Sequence, residues 1–245
     1  MNAKIRLHLD HPLSPGQPVP LSREQAHYLF GVMRLGVGDA ILAFNGRDGE
    51  WRAEVSDAGK RGGTLMCVAQ TRPVQMPPDL WLLFAPIKKA RTDFIVEKAT
   101  ELGASRILPV QTDFTNADRI RQDRLQAHAL EATEQCGGTF VPEVADLAPL
   151  TKVIASWPEG RRLLWCDEHM TGATHDLSGL PQGPWAILIG PEGGFSEAEQ
   201  TRLRALPFVH GISLGPRILR ADTAAVAAIT LWQARLGDWR SGPQT

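Results

Sequence analysis

Two glycine-rich segments in the C-terminal third restrict this chain more than any other feature. One is Ile189-Gly190-Pro191-Glu192-Gly193-Gly194-Phe195-Ser196, the other Leu214-Gly215-Pro216-Arg217-Ile218-Leu219-Arg220-Ala221-Asp222-Thr223-Ala224. Each follows a short apolar run and precedes a helical pattern. In an open α/β sheet such loops lie at the carboxyl ends of strands, where ligands bind. Two of them in succession predict one site with two walls.

The sequence around them fits a sheet of that kind. Apolar runs at Leu80–Ala85, Arg106–Val110, Arg162–Cys166, Trp185–Ile189 and Val209–Leu214 read as strands. Helical patterns fall at Asp93–Leu102, closed by Gly103 as a C′ residue, and at Asp118–Cys136, closed by Gly137-Gly138. Alternation over this length predicts a parallel sheet covered by helices. The first 70 or so residues differ. Ala40–Phe44, Trp51–Val55 and Thr64–Val68 read as short strands, with a turn signal at Asn45-Gly46. One helix, Glu24–Met33 with Ser22 as N-cap, interrupts them. The three prolines of residues 73–78 suit neither helix nor central strand and read as a linker. The expected domains are therefore 1–72, a small β-barrel or sheet, and 80–245, an α/β domain, joined by 73–79.

Bulk properties exclude several classes. No apolar run approaches the ~18 residues that span a bilayer. The N-terminal stretch is broken by Lys4, Arg6, His8 and Asp10, which argues against a secretory signal. Three widely spaced cysteines, Cys67, Cys136 and Cys166, disfavour a disulfide framework and a CxxC metal site. A reducing cytoplasm is the expected compartment. The net charge of −1 excludes a uniformly basic nucleic-acid binder.

The loops themselves narrow the chemistry. Ser196-Glu197-Ala198-Glu199 matches a capping box, so a helix begins there. Gly193-Gly194 removes side-chain bulk and permits positive φ, which lets backbone groups approach a ligand. The bland alternative is a tight connection that merely needs glycines. Glu192 between the glycines would repel a pyrophosphate, and no Gly-Lys-Ser/Thr follows. A dinucleotide fingerprint and a P-loop are both excluded. A neutral or cationic ligand suits an acidic loop better. In the second segment, Asp222-Thr223 is expected to cap a helix over Ala224–Leu236. Its smooth, Ala-rich face suits close packing against another element or subunit. Arg217 and Arg220 are otherwise solvated charges. Arg220, between Leu219 and Ala221, fits that description less well.

Taken together, these segments resemble the SPOUT superfamily of RNA methyltransferases. More narrowly, they resemble the ribosomal RNA small-subunit methyltransferase E family, whose members methylate N3 of a uridine in 16S rRNA. Supporting matches are His27-Tyr28-Leu29, Val32-Met33-Arg34-Leu35, Gly38-Asp39, Lys88-Lys89-Ala90-Arg91, Glu97-Lys98-Ala99-Thr100-Glu101-Leu102-Gly103 and Glu131-Ala132-Thr133-Glu134-Gln135-Cys136. The two C-terminal motifs carry the specificity. Three departures stand out. Ala221-Asp222-Thr223 replaces the usual Thr-Glu-Thr, Gly138 or Thr139 stands where the family has an arginine, and Gly31 replaces another.

The resemblance implies an α/β fold, a trefoil-knotted SPOUT domain after a PUA-like β-barrel. It implies homodimers, S-adenosylmethionine as cofactor, no metal and no membrane. The substrate would be 16S rRNA, naked or in the assembled small subunit. The knot loops would be Phe84–Arg91, Gly190–Phe195 and Leu214–Thr223. The cofactor would rest on backbone of Gly190, Gly194, Leu214 and Leu219, between Ile189 and Ile218. Phe84, Pro191, Glu192, Gly193, Gly215 and Thr223 complete the expected cofactor set. Arg220 would stabilise charge on the uracil, with Asp222 or Glu192 as base. Arg34, Lys88, Lys89 and Arg91 would contact phosphates. Three other readings compete. A nucleotide-dependent oxidoreductase lacks its fingerprint. A non-catalytic RNA-binding protein would show eroded cofactor loops, and both loops are intact. Within SPOUT, tRNA ribose methylation is the nearest alternative.

Overall fold

A computed structural model describes residues 3–59, 61–117, 119–167, 177 and 179–240. They form two compact units, Met1–Met76 with Thr133–Val141, and Pro77–Ala132 with Pro142–Thr245.

The first unit is a five-stranded sheet with one short helical segment. Its strands are β1 (Arg6–His8), β2 (Pro18–Pro20), β3 (Ala40–Phe44), β4 (Glu50–Ala58) and β5 (Gly63–Arg72), in the order β1-β3-β4-β5-β2. β1 runs parallel to β3, and the other pairs are antiparallel. Ile41, Ala43, Ala53, Val55, Leu65 and Cys67 alternate into one core, as period-two patterning requires. The three-residue strands β1 and β2 are too short to show that period in sequence. The expected Glu24–Met33 helix is not uniform. Ser22 caps α1 (Arg23–Ala26) through a capping box with Gln25, but His27–Val32 is a π-helical turn. Its Met33 N–H donates to the Tyr28 carbonyl. The wider turn admits one extra residue per turn, so a 3.6-residue period cannot describe the segment. Arg34 follows at φ +58, a conformation that side chains with a Cβ adopt rarely.

One buried carboxylate organises this unit. Glu50 is 2% exposed. It accepts hydrogen bonds from Arg6 Nε at 2.8 Å, Arg72 Nη2 at 2.6 Å and Thr71 Oγ1 at 2.8 Å. The Arg72, Thr71 and Arg6 donors overcome burial and hold its pKa down at about 2. Arg6 also donates to the carbonyls of Thr133, Glu134 and Gly138, and Arg72 to that of Gly137. Thr133 and Glu134 lie in the last turn of α3 (Gln122–Cys136), and Gly137 and Gly138 follow directly after it. Helix-terminal carbonyls lack intrahelical donors and carry the negative end of the dipole, so two arginines fit there on both counts.

The second unit is a parallel sheet flanked by helices. Its strands are β6 (Leu80–Phe84), β7 (Arg106–Gln111), β8 (Glu143–Val144), β9 (Ala148–Pro149), β10 (Arg162–Cys166), β11 (Trp185–Ile189) and β12 (Val209–Ile212). The order is β12-β10-β11-β6-β7-β8, every pair is parallel, and β9 also pairs with β7. The central strand β11 is buried at every residue, as a parallel strand covered on both faces should be. Leu83, Leu163, Trp165, Ala186 and Leu188 pack on one face with Leu150 of α4 (Leu150–Ala155) and Leu203 of α5 (Glu197–Arg204). α2 (Lys89–Glu101) packs against α6 (Ala221–Arg235), which also packs against β11. Gly103 takes φ +83 just past α2. A Cβ there would come within 2.8 Å of Gln233 Nε2, which donates to the Leu102 carbonyl. The glycine therefore both ends α2 and lets α6 approach.

Two helix starts bear on the site. The expected capping box at α5 is present, with Ser196 Oγ accepting from the Glu199 N–H at 3.2 Å. The second start differs from expectation. α6 begins at Ala221 with Arg220 as N-cap, rather than at Ala224 behind Asp222 and Thr223. Asp222 does not cap because its carboxylate is drawn to Arg91. The expected start of α3 at Asp118 lies outside the described residues; the helix begins at Gln122.

Candidate active site

The chain turns back across the sheet between β6 and β11. β6 leads to β7 on one side, while β10, β11 and β12 fill the other. A crevice at the carboxyl ends of the strands is expected at such a reversal. A cavity of about 490 Å³ lies there, lined by residues that follow β6, β10, β11 and β12. This volume suits a small organic ligand or cofactor.

Both glycine-rich segments line it, as two walls of one site. From the first come Ile189, Gly190, Pro191, Glu192, Gly194 and Phe195; from the second come Leu214, Gly215, Arg217, Ile218, Leu219, Arg220 and Ala221. Lys88 and Arg91 reach the cavity from the start of α2. Six of the expected residues do not line it. Phe84 is fully buried within the sheet at the end of β6. Gly193 faces Phe114. Thr223 is exposed in the first turn of α6. Asp222 stands behind Arg91. Lys89 is exposed outside the lining, and Arg34 belongs to the first unit.

The glycines have separate reasons. Gly194 takes φ +69 and Gly215 φ +117, where a side chain would be strained. Gly190 is required by a neighbour instead. A Cβ there would lie 2.6 Å from Phe195 Cε2. The Phe195 ring meets Trp165 edge-on with centroids 5.8 Å apart, so it has little room to yield. The first loop therefore folds back over its own glycine.

Sequence reading missed the floor of the cavity. Cys166 and Asp167 end β10, Ser213 follows β12, and Gln200 comes from α5. For Cys166, Asp167 and Ser213 the position at a strand end was the available signal; Gln200, inside α5, carried none. Asp167 is 4% exposed and bonded to Arg204 Nη2 at 3.0 Å, so the floor carries a fixed carboxylate. Burial pushes the Cys166 thiol up to about 12. It is neutral near pH 7, which argues against a nucleophilic role.

The rim is cationic. Lys88, Arg91, Arg217 and Arg220 all line the cavity and are exposed or half-exposed, against one exposed acid, Glu192. The N-terminus of α6 also faces the cavity through Ala221 and Ala224, adding positive potential. Acidic floor, apolar and backbone walls, and cationic rim suit a ligand with a cationic or hydrogen-bond-donating part below and a polyanion above. Among the described residues, no group of three or more His, Cys, Asp or Glu side chains could hold a metal ion.

The comparisons agree on the class to which such a crevice belongs. Residues 74–233 match the family model of an RNA methyltransferase domain, and residues 21–65 that of an RNA methyltransferase PUA domain. The chain is 31% identical over 235 residues to the ribosomal RNA small subunit methyltransferase E of Rickettsia conorii, covering 94% of this chain and 95% of the relative. The chain belongs to the ribosomal RNA small subunit methyltransferase E family. Its structure is similar to that of the Neisseria gonorrhoeae ribosomal RNA small subunit methyltransferase E bound to S-adenosyl methionine. The TM-score is 0.86 at 28% identity, over 96% of this chain and 99% of that one. A Legionella pneumophila protein in complex with the cofactor SAM gives the same TM-score and identity, over 97% and 100%. The fold is thus a SPOUT-type α/β domain with a PUA-like domain before it.

Proposed function

We propose that this chain transfers a methyl group from S-adenosylmethionine to N3 of a uridine in 16S rRNA of the small ribosomal subunit. The observation that supports it most is the single cavity at the strand ends, walled by both glycine-rich loops and rimmed by cations. S-Adenosylmethionine supplies an electrophilic methyl on a sulfonium centre. The donor set fits that group. Backbone of Gly190, Gly194, Leu214 and Leu219 holds polar edges, Ile189 and Ile218 supply apolar walls, and Asp167 offers a buried carboxylate beneath.

In-line methyl transfer depends on positioning, and rigid walls supply it. The target base must leave its stack to enter the cavity. Arg220, at the rim, stabilises negative charge as uracil N3 loses its proton. Glu192, exposed on the first loop, accepts that proton. Lys88, Lys89 and Arg91 meet RNA phosphates, and Arg34 of the first unit meets others. We further infer that the loops after β6, β11 and β12 form the knot typical of SPOUT proteins.

Two experiments test this reading. Isothermal calorimetry should show one S-adenosylmethionine site per chain; no binding at millimolar cofactor would sink it. Mass mapping of 16S rRNA from cells lacking the gene should show one missing methyluridine, restored by the wild-type protein. A ribose methyl lost from tRNA instead would favour the nearest alternative. The same reading includes a homodimer. α6 presents Val226, Ala227, Thr230, Leu231 and Ala234 on a face separate from the buried Ala225, Ala228, Ile229 and Trp232. Light scattering should give twice the 26.8 kDa chain mass, and Leu231→Glu should shift it to the monomer.

A further inference from the structure

The acid in the second loop sits next to the cavity without lining it. Asp222 Oδ2 lies 3.0 Å from Arg91 Nη1, while its Oδ1 accepts the Thr223 N–H at 2.9 Å. Both oxygens are engaged, and the side chain is 18% exposed. A general base needs a lone pair aimed at the proton it takes. This carboxylate is aimed at a guanidinium and at its own helix.

The partner is the informative member of the pair. Arg91 lines the cavity, and its side chain is 31% exposed. It stands in the first turn of α2 beside Lys88 and Lys89, and that turn holds no acid. Three cations at a helix N-terminus oppose the helix dipole. Asp222, reaching over from the first turn of α6, supplies the negative charge that α2 lacks. An arginine has five N–H donors in a rigid fork. One of its ends is committed to Asp222, and among the described residues the other has no partner. A fork fixed at one end presents the other at a set angle, which suits a phosphate.

We propose that Asp222 is a positioning residue: it holds the Arg91 guanidinium at the cavity rim to receive an RNA phosphate next to the flipped base. The proposal rests on the RNA methyltransferase reading above. It replaces a base role for Asp222 with one that acts through Arg91.

The test is a double-mutant cycle on the full chain with Asp222→Asn, Asp222→Glu, Arg91→Ala and the Arg91→Ala/Asp222→Asn pair. Initial rates would be measured against small-subunit rRNA at saturating cofactor, with calorimetry of S-adenosylmethionine alongside. Asp222→Asn should raise the RNA KM about fivefold with kcat nearly unchanged, a loss of the size of one partly exposed ion pair. Asp222→Glu should restore the wild-type KM. Arg91→Ala should match Asp222→Asn or exceed it, and the double variant should be no worse than Arg91→Ala. A kcat loss of about 100-fold with an altered pH profile would make Asp222 a base and overturn the proposal. So would fully additive losses, or a lowered melting temperature with KM unmoved. If the wild-type protein neither bound the cofactor nor methylated rRNA, the methyltransferase reading would fall and the proposal with it. Active wild type with contrary variants would remove the proposal alone.

Discussion

Arg220→Ala should lower turnover by about 10²–10³-fold at saturating RNA and cofactor, the range for deleting one preorganised donor to a developing anion. In the proposed reaction, uridine N3 keeps its proton at neutral pH. Methylation there requires the ring to carry negative charge on its way to product. Arg220 is the N-cap of α6, exposed at the rim, with Leu219 before it and the buried Ala221 after it. Its backbone is fixed by the helix start, while its side chain makes no capping bond. The positive end of the α6 dipole points the same way, so charge and dipole add. Single-turnover kinetics would isolate the chemical step from product release. Arg220→Lys should recover only part of the rate, because an ammonium keeps the charge and loses the fork. Calorimetry of Arg220→Ala should still show cofactor binding. An alanine variant with intact turnover under saturating RNA would remove Arg220 from the mechanism.

Glu50→Ala should cost the first unit about 3 kcal/mol, near the lower end for breaking a buried ion pair. The lower end is chosen because Arg72 is 36% exposed on its side chain and water screens that arm. The variant leaves Arg6 and Arg72 close together with only carbonyl acceptors. Urea unfolding, followed by amide hydrogen exchange of β3–β5, would measure the loss where it arises. A change below 0.5 kcal/mol would contradict it. The pH dependence has a defined sign. Glu50 titrates at about 2 when folded, against an ordinary value of 4.5. A depressed carboxyl pKa stabilises the fold above the unfolded value, and that stability is lost as pH falls through the folded value. Wild type should therefore lose stability between about pH 4.5 and 2. The alanine variant should lack this component.

Much of the second unit was legible because parallel strands are continuous apolar runs. Arg162–Cys166 and Trp185–Ile189 have the bounds read from sequence, and the other three long strands differ by one or two residues. The two-residue β8 and β9 and the six-residue α4 carry too little pattern to read. In the first unit the π-helical turn hid for a different reason: its period belongs to neither template. The buried Glu50 gave no signal at all. A lone glutamate in a strand looks the same whether it meets water or two arginines.

The glycine-rich loops mark the same division. Their residues alone determined that two strand-end segments would wall one cavity and that a capping box starts α5. Those are local facts, set by backbone freedom, side-chain charge and neighbours within a few positions. Tertiary structure decided the rest. It put Asp167 and Gln200 in the cavity floor, set Gly190 under Phe195, and turned Asp222 from a helix cap into the partner of Arg91. Each of those contacts joins segments that only the parallel sheet and its packed helices bring together, except Gly190 with Phe195, which depends on how one loop folds back. Electrostatic attraction acts through space, so the partner of Asp222 is 131 residues away in sequence and 3.0 Å away in the fold.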